Sequence, residues 1–112
     1  MLNAYTLTID IIAKDEAISE TDFRNLVTPS LKHLDDLKGA FDKKKATKTF
    51  FEPGRNTEKL PFWIARAVVL ISIGKERAAH LMSLFDAIAK LIEMELPNCS
   101  VSYRKDAYTV NT

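Results

Sequence analysis

The segment Phe62–Ile73 constrains the fold of this chain more than any other, because it is apolar at both alternating positions except for Arg66 and Ser72. A strand with one face in water alternates apolar and polar side chains, whereas a nearly continuous Val/Ile/Leu run is typical of a strand covered on both faces. The β-branched residues from Val68 onward favour a strand, although Pro61 would also suit the start of a buried helix. In a chain this short, we expect another molecule to cover the second face.

Length and composition predict one domain over residues 1–112. Hydrophobic residues make up 46% of the chain and charged residues 28%, with only three glycines and four prolines, a composition that indicates a folded chain and suggests neither disorder nor low complexity. The single cysteine, Cys99, forms no internal disulfide and favours a reducing compartment. The N-terminus has no signal-peptide pattern, and Phe62–Ile73 is shorter than the roughly 20 apolar residues of a membrane span. We therefore expect a cytoplasmic protein outside the membrane.

Hydrophobic periodicity predicts six elements. They are a strand at 4–11, a helix from Glu20 that breaks or kinks at Pro29 and resumes from Leu31 to Phe41, a strand at 47–52, the strand 62–73, a helix from Gly74 to Pro97, and a strand at 99–104. Pro53-Gly54-Arg55-Asn56 predicts a turn after the second strand.

The order strand, helix, strand, strand, helix, strand predicts an α+β domain with the ferredoxin-like βαββαβ arrangement. This is a four-stranded antiparallel sheet with two helices on one face and with the first and third strands at its centre. We expect the helices to cover the side of the third strand that carries Trp63, Ala65, Ala67, Val69, Ile71 and Ile73. The side with Arg66 should then be open, and Asp10 should pair with Arg66.

An exposed apolar patch with a polar rim usually marks a protein interface, so we interpret the open side as the functional surface. The predicted partner-binding residues are Asp10, Phe62, Ile64, Arg66, Val68 and Leu70. The hypothesis is a non-catalytic protein-interaction module of the kind to which immunity proteins, antitoxins and inhibitors belong, which neutralises or regulates a protein partner. A second copy of the chain is the other expected occupant, as a homodimer.

A basic segment supports an alternative, a small nucleic-acid-binding domain. Cations bind phosphates and aromatic rings stack on bases, and Phe50 and Phe51 lie beside this segment. Its candidate residues are Lys43, Lys44, Lys45, Lys48 and Arg55. The net charge of only +1 argues against this alternative, because dedicated nucleic-acid-binding domains are usually basic overall.

The sequence offers little for catalysis. Cys99 is expected to be a buried apolar thiol, His80 a surface residue one turn from Glu76, and His33 with the neighbouring aspartates a weak metal motif. We expect no catalytic, cofactor-binding or metal-binding residues and therefore no enzyme and no cofactor. A small hydrolase or isomerase with a site shared across a dimer is the third alternative.

Overall fold

A computed structural model of the chain describes residues 2–15, 17–41, 48–55 and 61–109, and within these ranges all side chains except those of residues 2, 48, 53–55, 61, 62 and 109. The elements are β1 (Leu2–Ala13), α1 (Glu20–Phe41), β2 (Lys48–Arg55), β3 (Pro61–Gly74), a single 3₁₀ turn (Lys75–Arg77), α2 (Ala78–Glu95) and β4 (Cys99–Thr109). The chain is thus an α+β protein with a four-stranded antiparallel sheet and two helices.

The sheet has the strand order β2-β3-β1-β4, so β1 and β3 each have a neighbour on both sides. All three pairings are antiparallel and keep one register throughout, with Asp10 opposite Arg66 and Ser102, and Phe50 opposite Arg66. The position of β3 explains the apolar run in the sequence. The segment is a strand, and one of its faces is buried in the core.

Both helices pack on the same side of the sheet. Phe23, Val27 and Leu34 of α1 and Leu81, Phe85, Ala89 and Ile92 of α2 are fully buried against Leu7, Ile9, Ile11, Ala65, Ala67, Val69 and Ile71. The small side chains of Ala65 and Ala67 allow a helix to approach β3 closely. The predicted inward side of the third strand is therefore confirmed. Among the described residues, neither helix is long and apolar enough to cross a membrane.

The helix predicted to break or kink at Pro29 does not break there, because α1 runs without interruption from Glu20 to Phe41. Proline removes the N–H that would bond to the carbonyl of the residue four positions earlier, here Asn25. Pro29 and Asn25 are both exposed, so the missing bond falls on the solvent side. The buried stripe of the helix continues on the other side from Val27 to Leu31, so both halves remain packed in the core.

The turn predicted at Pro53 and Gly54 is also wrong, because β2 continues through both residues to Arg55. Proline is tolerated in a sheet on an edge strand, where its missing N–H faces away from the neighbour. β2 is such an edge strand. The local preference for a turn is overridden by pairing with β3, in which Pro53 lies opposite Trp63 and Gly54 opposite Phe62.

Candidate protein-binding face

The side of the sheet opposite the helices is called the open face below. Side chains alternate along a strand, so the residues between the core positions point to this side. Its described members are Ala4, Thr6, Thr8, Asp10 and Ile12 of β1, Phe50 and Glu52 of β2, Ile64, Arg66, Val68, Leu70 and Ser72 of β3, and Ser100, Ser102, Arg104, Asp106 and Tyr108 of β4. No helix of the described residues covers these side chains.

An ion pair joins the two central strands of the open face. Arg66 donates from Nε to Oδ1 of Asp10 at 2.7 Å and from Nη2 to Oδ2 at 3.2 Å. The two residues face each other across β3 and β1, so the backbone register itself brings them together. Asp10, through its hydrogen bond and then its charge, raises the pKa of the Arg66 guanidinium, and Glu52 adds a smaller effect. The side chain of Arg66 is still 52% exposed, so its remaining N–H groups are accessible.

Apolar side chains surround this ion pair. Ile64 and Val68 flank Arg66 on the same side of β3, and Leu70 continues the row with 47% of its surface exposed. Phe50, opposite Arg66 on β2, is 50% exposed. Isolated exposed apolar residues are ordinary, but a contiguous group around one bidentate ion pair resembles the centre of a protein interface.

A shallow hollow of about 150 Å³ lies on the other side of the ion pair, between β1 and β4. It is lined by Thr8, Asp10, Ser102, Tyr103 and Arg104. Arg104 donates from Nε to Asp106 at 3.2 Å at the outer margin. The open face therefore has a half-exposed phenyl ring on one edge strand and a hollow beside the other.

A buried lysine supports the backbone beneath Leu70. Lys38 of α1 is only 7% exposed, and its Nζ donates to the carbonyl oxygen of Leu70 at 2.6 Å. A charge-assisted bond of this kind is stronger than one between neutral groups, so it fixes β3 at this level. This contact is not predictable from the sequence, because lysine on a helix is ordinarily a surface residue.

Five of the six predicted partner-binding residues lie together on the open face. Asp10, Ile64, Arg66, Val68 and Leu70 occupy adjacent positions on β1 and β3. The backbone of Phe62 pairs with Gly54, and its side chain lies outside the described residues. Their binding role remains a prediction.

Sequence reasoning missed several members of the open face, among them Phe50 and Ile12. Phe50 was grouped with Phe51, although neighbouring residues of a strand face opposite sides. Phe51 indeed packs against the core and contacts Phe23 edge to face, with ring centroids 6.1 Å apart. Ile12 was missed because the first strand was predicted to end at Ile11.

The predicted nucleic-acid-binding residues are not brought together within the described part of the chain. Lys43, Lys44 and Lys45 lie outside the described residues, as do the side chains of Lys48 and Arg55. The backbones of Lys48 and Arg55 are the two ends of β2, about 23 Å apart at the usual rise per residue of a strand.

Of the other titratable candidates, His33 has a structural partner and Cys99 is buried in the core. Glu95 at the end of α2 accepts hydrogen bonds from Ser30 Oγ and pairs with His33 Nε2, both at 2.9 Å, which joins the two helices and lowers the pKa of Glu95. Cys99 is buried, and burial raises the pKa of its thiol. No group of three or more potential metal-ligating side chains occurs among the described residues.

Comparisons with known proteins give no family for this chain. No family model and no curated protein matches it. Among solved structures, the chain is similar to a de novo designed protein, Foldit4, with a TM-score of 0.46 and 16% identity over 92% of this chain and 96% of that one. It is also similar to the protein At3g17210 of Arabidopsis thaliana, with a TM-score of 0.39 and 14% identity over 95% and 96%. At these scores neither likeness supports an argument about function.

Proposed function

We propose that the chain is a non-catalytic protein-interaction module that binds a protein partner through its open face. The observation that carries this proposal is the contiguous apolar group Phe50, Ile64, Val68 and Leu70 around the Asp10–Arg66 ion pair. We further propose that the arrangement is ferredoxin-like, because β1 and β3 are the central strands and both helices contribute to one core.

The energetics favour a partner that removes these apolar side chains from water. Covering the exposed half of Leu70 or of Phe50 contributes about 1 kcal/mol each, at the usual free energy per area of buried apolar surface. The ion pair contributes mainly to specificity, since a partner that offers no polar groups at Arg66 leaves it buried and incompletely bonded. A protein partner that covers the apolar side chains and offers acceptors to Arg66 fits both requirements.

Site-specific photo-crosslinking tests the proposal. A photoreactive amino acid at position 70 is expected to yield protein adducts in cells that naturally express the chain, whereas the same probe at Met94 should yield none. Met94 is 79% exposed on α2, away from the open face. The adducts at position 70 should disappear when Val68→Asp is added to the probe chain. Absence of adducts from positions 50, 64 and 70, or adducts that persist in the Val68→Asp background, would overturn the proposal.

The nucleic-acid alternative remains a separate prediction. It requires salt-sensitive binding of DNA or RNA that is lost in the Lys43→Glu/Lys45→Glu double variant, because each phosphate contact adds to the salt dependence of binding. Absence of binding at low salt in a mobility-shift experiment would exclude it.

A further inference from the structure

We infer that the partner of the open face is a second copy of this chain, packed face to face about a two-fold axis that runs parallel to the strands between β1 and β3. The inference rests on the proposed function and names the partner of the same surface. A half-turn about this axis reverses the order of the strands in the second copy. As a result, β3 of one copy lies over β1 of the other, and β2 lies over β4.

Charge complementarity supports this arrangement. Asp10 and Arg66 lie at the same level of the sheet on the two strands that the axis exchanges. Each Arg66 therefore lies over the Asp10 of the other copy, and its free N–H groups meet that carboxylate. The four groups form a closed network of alternating charge, which reduces the penalty for burying them.

Shape complementarity along the row that contains Arg66 and Asp10 also supports the face-to-face dimer. Phe50, Arg66, Asp10 and Ser102 form one row across the four strands. The rotation reverses this row, so Phe50 of one copy lies over Ser102 of the other, where the hollow of about 150 Å³ is located. A space of about this volume holds a benzene ring. Arg104 at the margin of the hollow is suitably placed for a cation–π contact with the inserted ring.

The available area and the net charge are compatible with a dimer. Four strands of about ten residues present roughly 600 Å² per copy, so a face-to-face dimer buries about 1,200 Å², the lower limit of a stable, specific interface. The net charge of +1 creates little repulsion between copies. Sheets that pack face to face cross at about −30°, so the contact is closest near one level, which we assign to the ion-pair row.

The charge network allows a mixing experiment. Asp10→Arg gives an open face with two central positive charges, and Arg66→Asp gives one with two central negative charges. Light scattering after size exclusion, at about 100 μM chain, should show a dimer for the wild type, monomers for each variant alone, and a dimer again for the equimolar mixture. Both variants lack the ion pair within the chain, so recovery in the mixture reports only on contacts between chains. The matched control is Asp36→Arg, the same charge change at an exposed position of α1, which should remain dimeric.

Two further variants test the hollow and do not alter the ion pair. Phe50→Ala should raise the dissociation constant at least about tenfold, the effect of removing a buried aromatic anchor. Ser102→Trp should block dimerisation because it fills the hollow from an exposed position that leaves the core unchanged. A wild-type monomer at about 100 μM, a mixture that stays monomeric, or a Ser102→Trp variant that still dimerises would overturn the inference.

The mass of the crosslinked adducts distinguishes a failure of the dimer inference from a failure of the proposed function. Adducts at position 70 with twice the mass of the chain support the inference. A wild-type monomer whose position 70 crosslinks to a different protein overturns the self-pairing but leaves the interaction module intact. A monomer without adducts overturns both.

Discussion

The guanidinium of Arg66 has a fixed orientation in the isolated chain. Its bidentate bond to Asp10 fixes the plane of the guanidinium, so less side-chain freedom is lost on association than for a free surface arginine. This pair was predictable from the sequence, because it follows from alternation on two strands of known order. The support of β3 by Lys38 was not predictable, because it depends on the position of a helix above a strand.

A second set of residues ties α2 to β4 and predicts a pH dependence of stability. Asp86 accepts hydrogen bonds from Lys105 Nζ and from the Tyr103 hydroxyl, both at 2.9 Å. Lys105 and then Tyr103 lower the pKa of Asp86. The folded state therefore favours the charged carboxylate, and this stabilisation is complete above the ordinary pKa of aspartate, about 4, and is lost as the pH falls through the lowered value.

Replacement of Asp86 should remove part of that dependence. Asp86→Asn should lower the urea midpoint at neutral pH and should make the loss of stability on acidification less steep than in the wild type. Urea titrations monitored by circular dichroism at several pH values measure both quantities. Asp36→Asn, at an exposed position of α1, is the control and should follow the wild-type curve. Equal slopes for Asp86→Asn and the wild type would contradict the assignment.

Among the elements, α1 shows how tertiary packing outweighs a local signal. A proline within a helix costs about 3 kcal/mol through the lost hydrogen bond and a steric clash, yet α1 continues through Pro29 because its apolar stripe remains in register on both sides. On its exposed side α1 therefore lacks the backbone hydrogen bond from position 29 to the carbonyl of Asn25.

Replacement of Pro29 should stabilise the protein. Pro29→Ala should raise the free energy of unfolding by roughly 1–3 kcal/mol, because it restores an N–H donor for the carbonyl of Asn25. Urea unfolding measures the change, and Lys32→Ala, an exposed neighbour one turn later, should change it by less than about 0.5 kcal/mol. An unchanged or lower stability of Pro29→Ala would show that α1 does not continue through this position as described.

The order of the elements and the inward side of β3 were predictable, because apolar periodicity reflects burial directly. The predicted helix break at Pro29 and the predicted turn at Pro53 were wrong. Packing of α1 outweighs the local preference of proline at position 29, and pairing of β2 with β3 outweighs it at position 53. The open face was predictable along β3 but not at Phe50, because its neighbour Phe51 is equally aromatic and only the register of β2 separates the two. The hollow beside Ser102 depends on the packing of several side chains and leaves no mark in the sequence.

At the scale of the whole molecule, self-association should link stability to concentration. If folding and dimerisation are coupled, the thermal midpoint should rise by about 3 °C for each tenfold increase in chain concentration. Differential scanning calorimetry between about 5 and 500 μM tests this, and Arg66→Asp should show a midpoint independent of concentration. A wild-type midpoint that does not move over this range would contradict coupled dimerisation.

The proline in β2 has a consequence for how large an assembly can become. An exposed edge strand can pair with a strand of another molecule, and repetition of this pairing produces filaments. The edge strand β2 is a poor template for such pairing, because Pro53 has no N–H donor. At the other edge, Lys105 points to the helix side and is held by Asp86, and such an inward charge also discourages an added strand. In a face-to-face dimer the two open faces cover each other, and both edge strands, β2 and β4, are poor templates for an added strand. Assembly should therefore stop at two copies and should not continue into filaments.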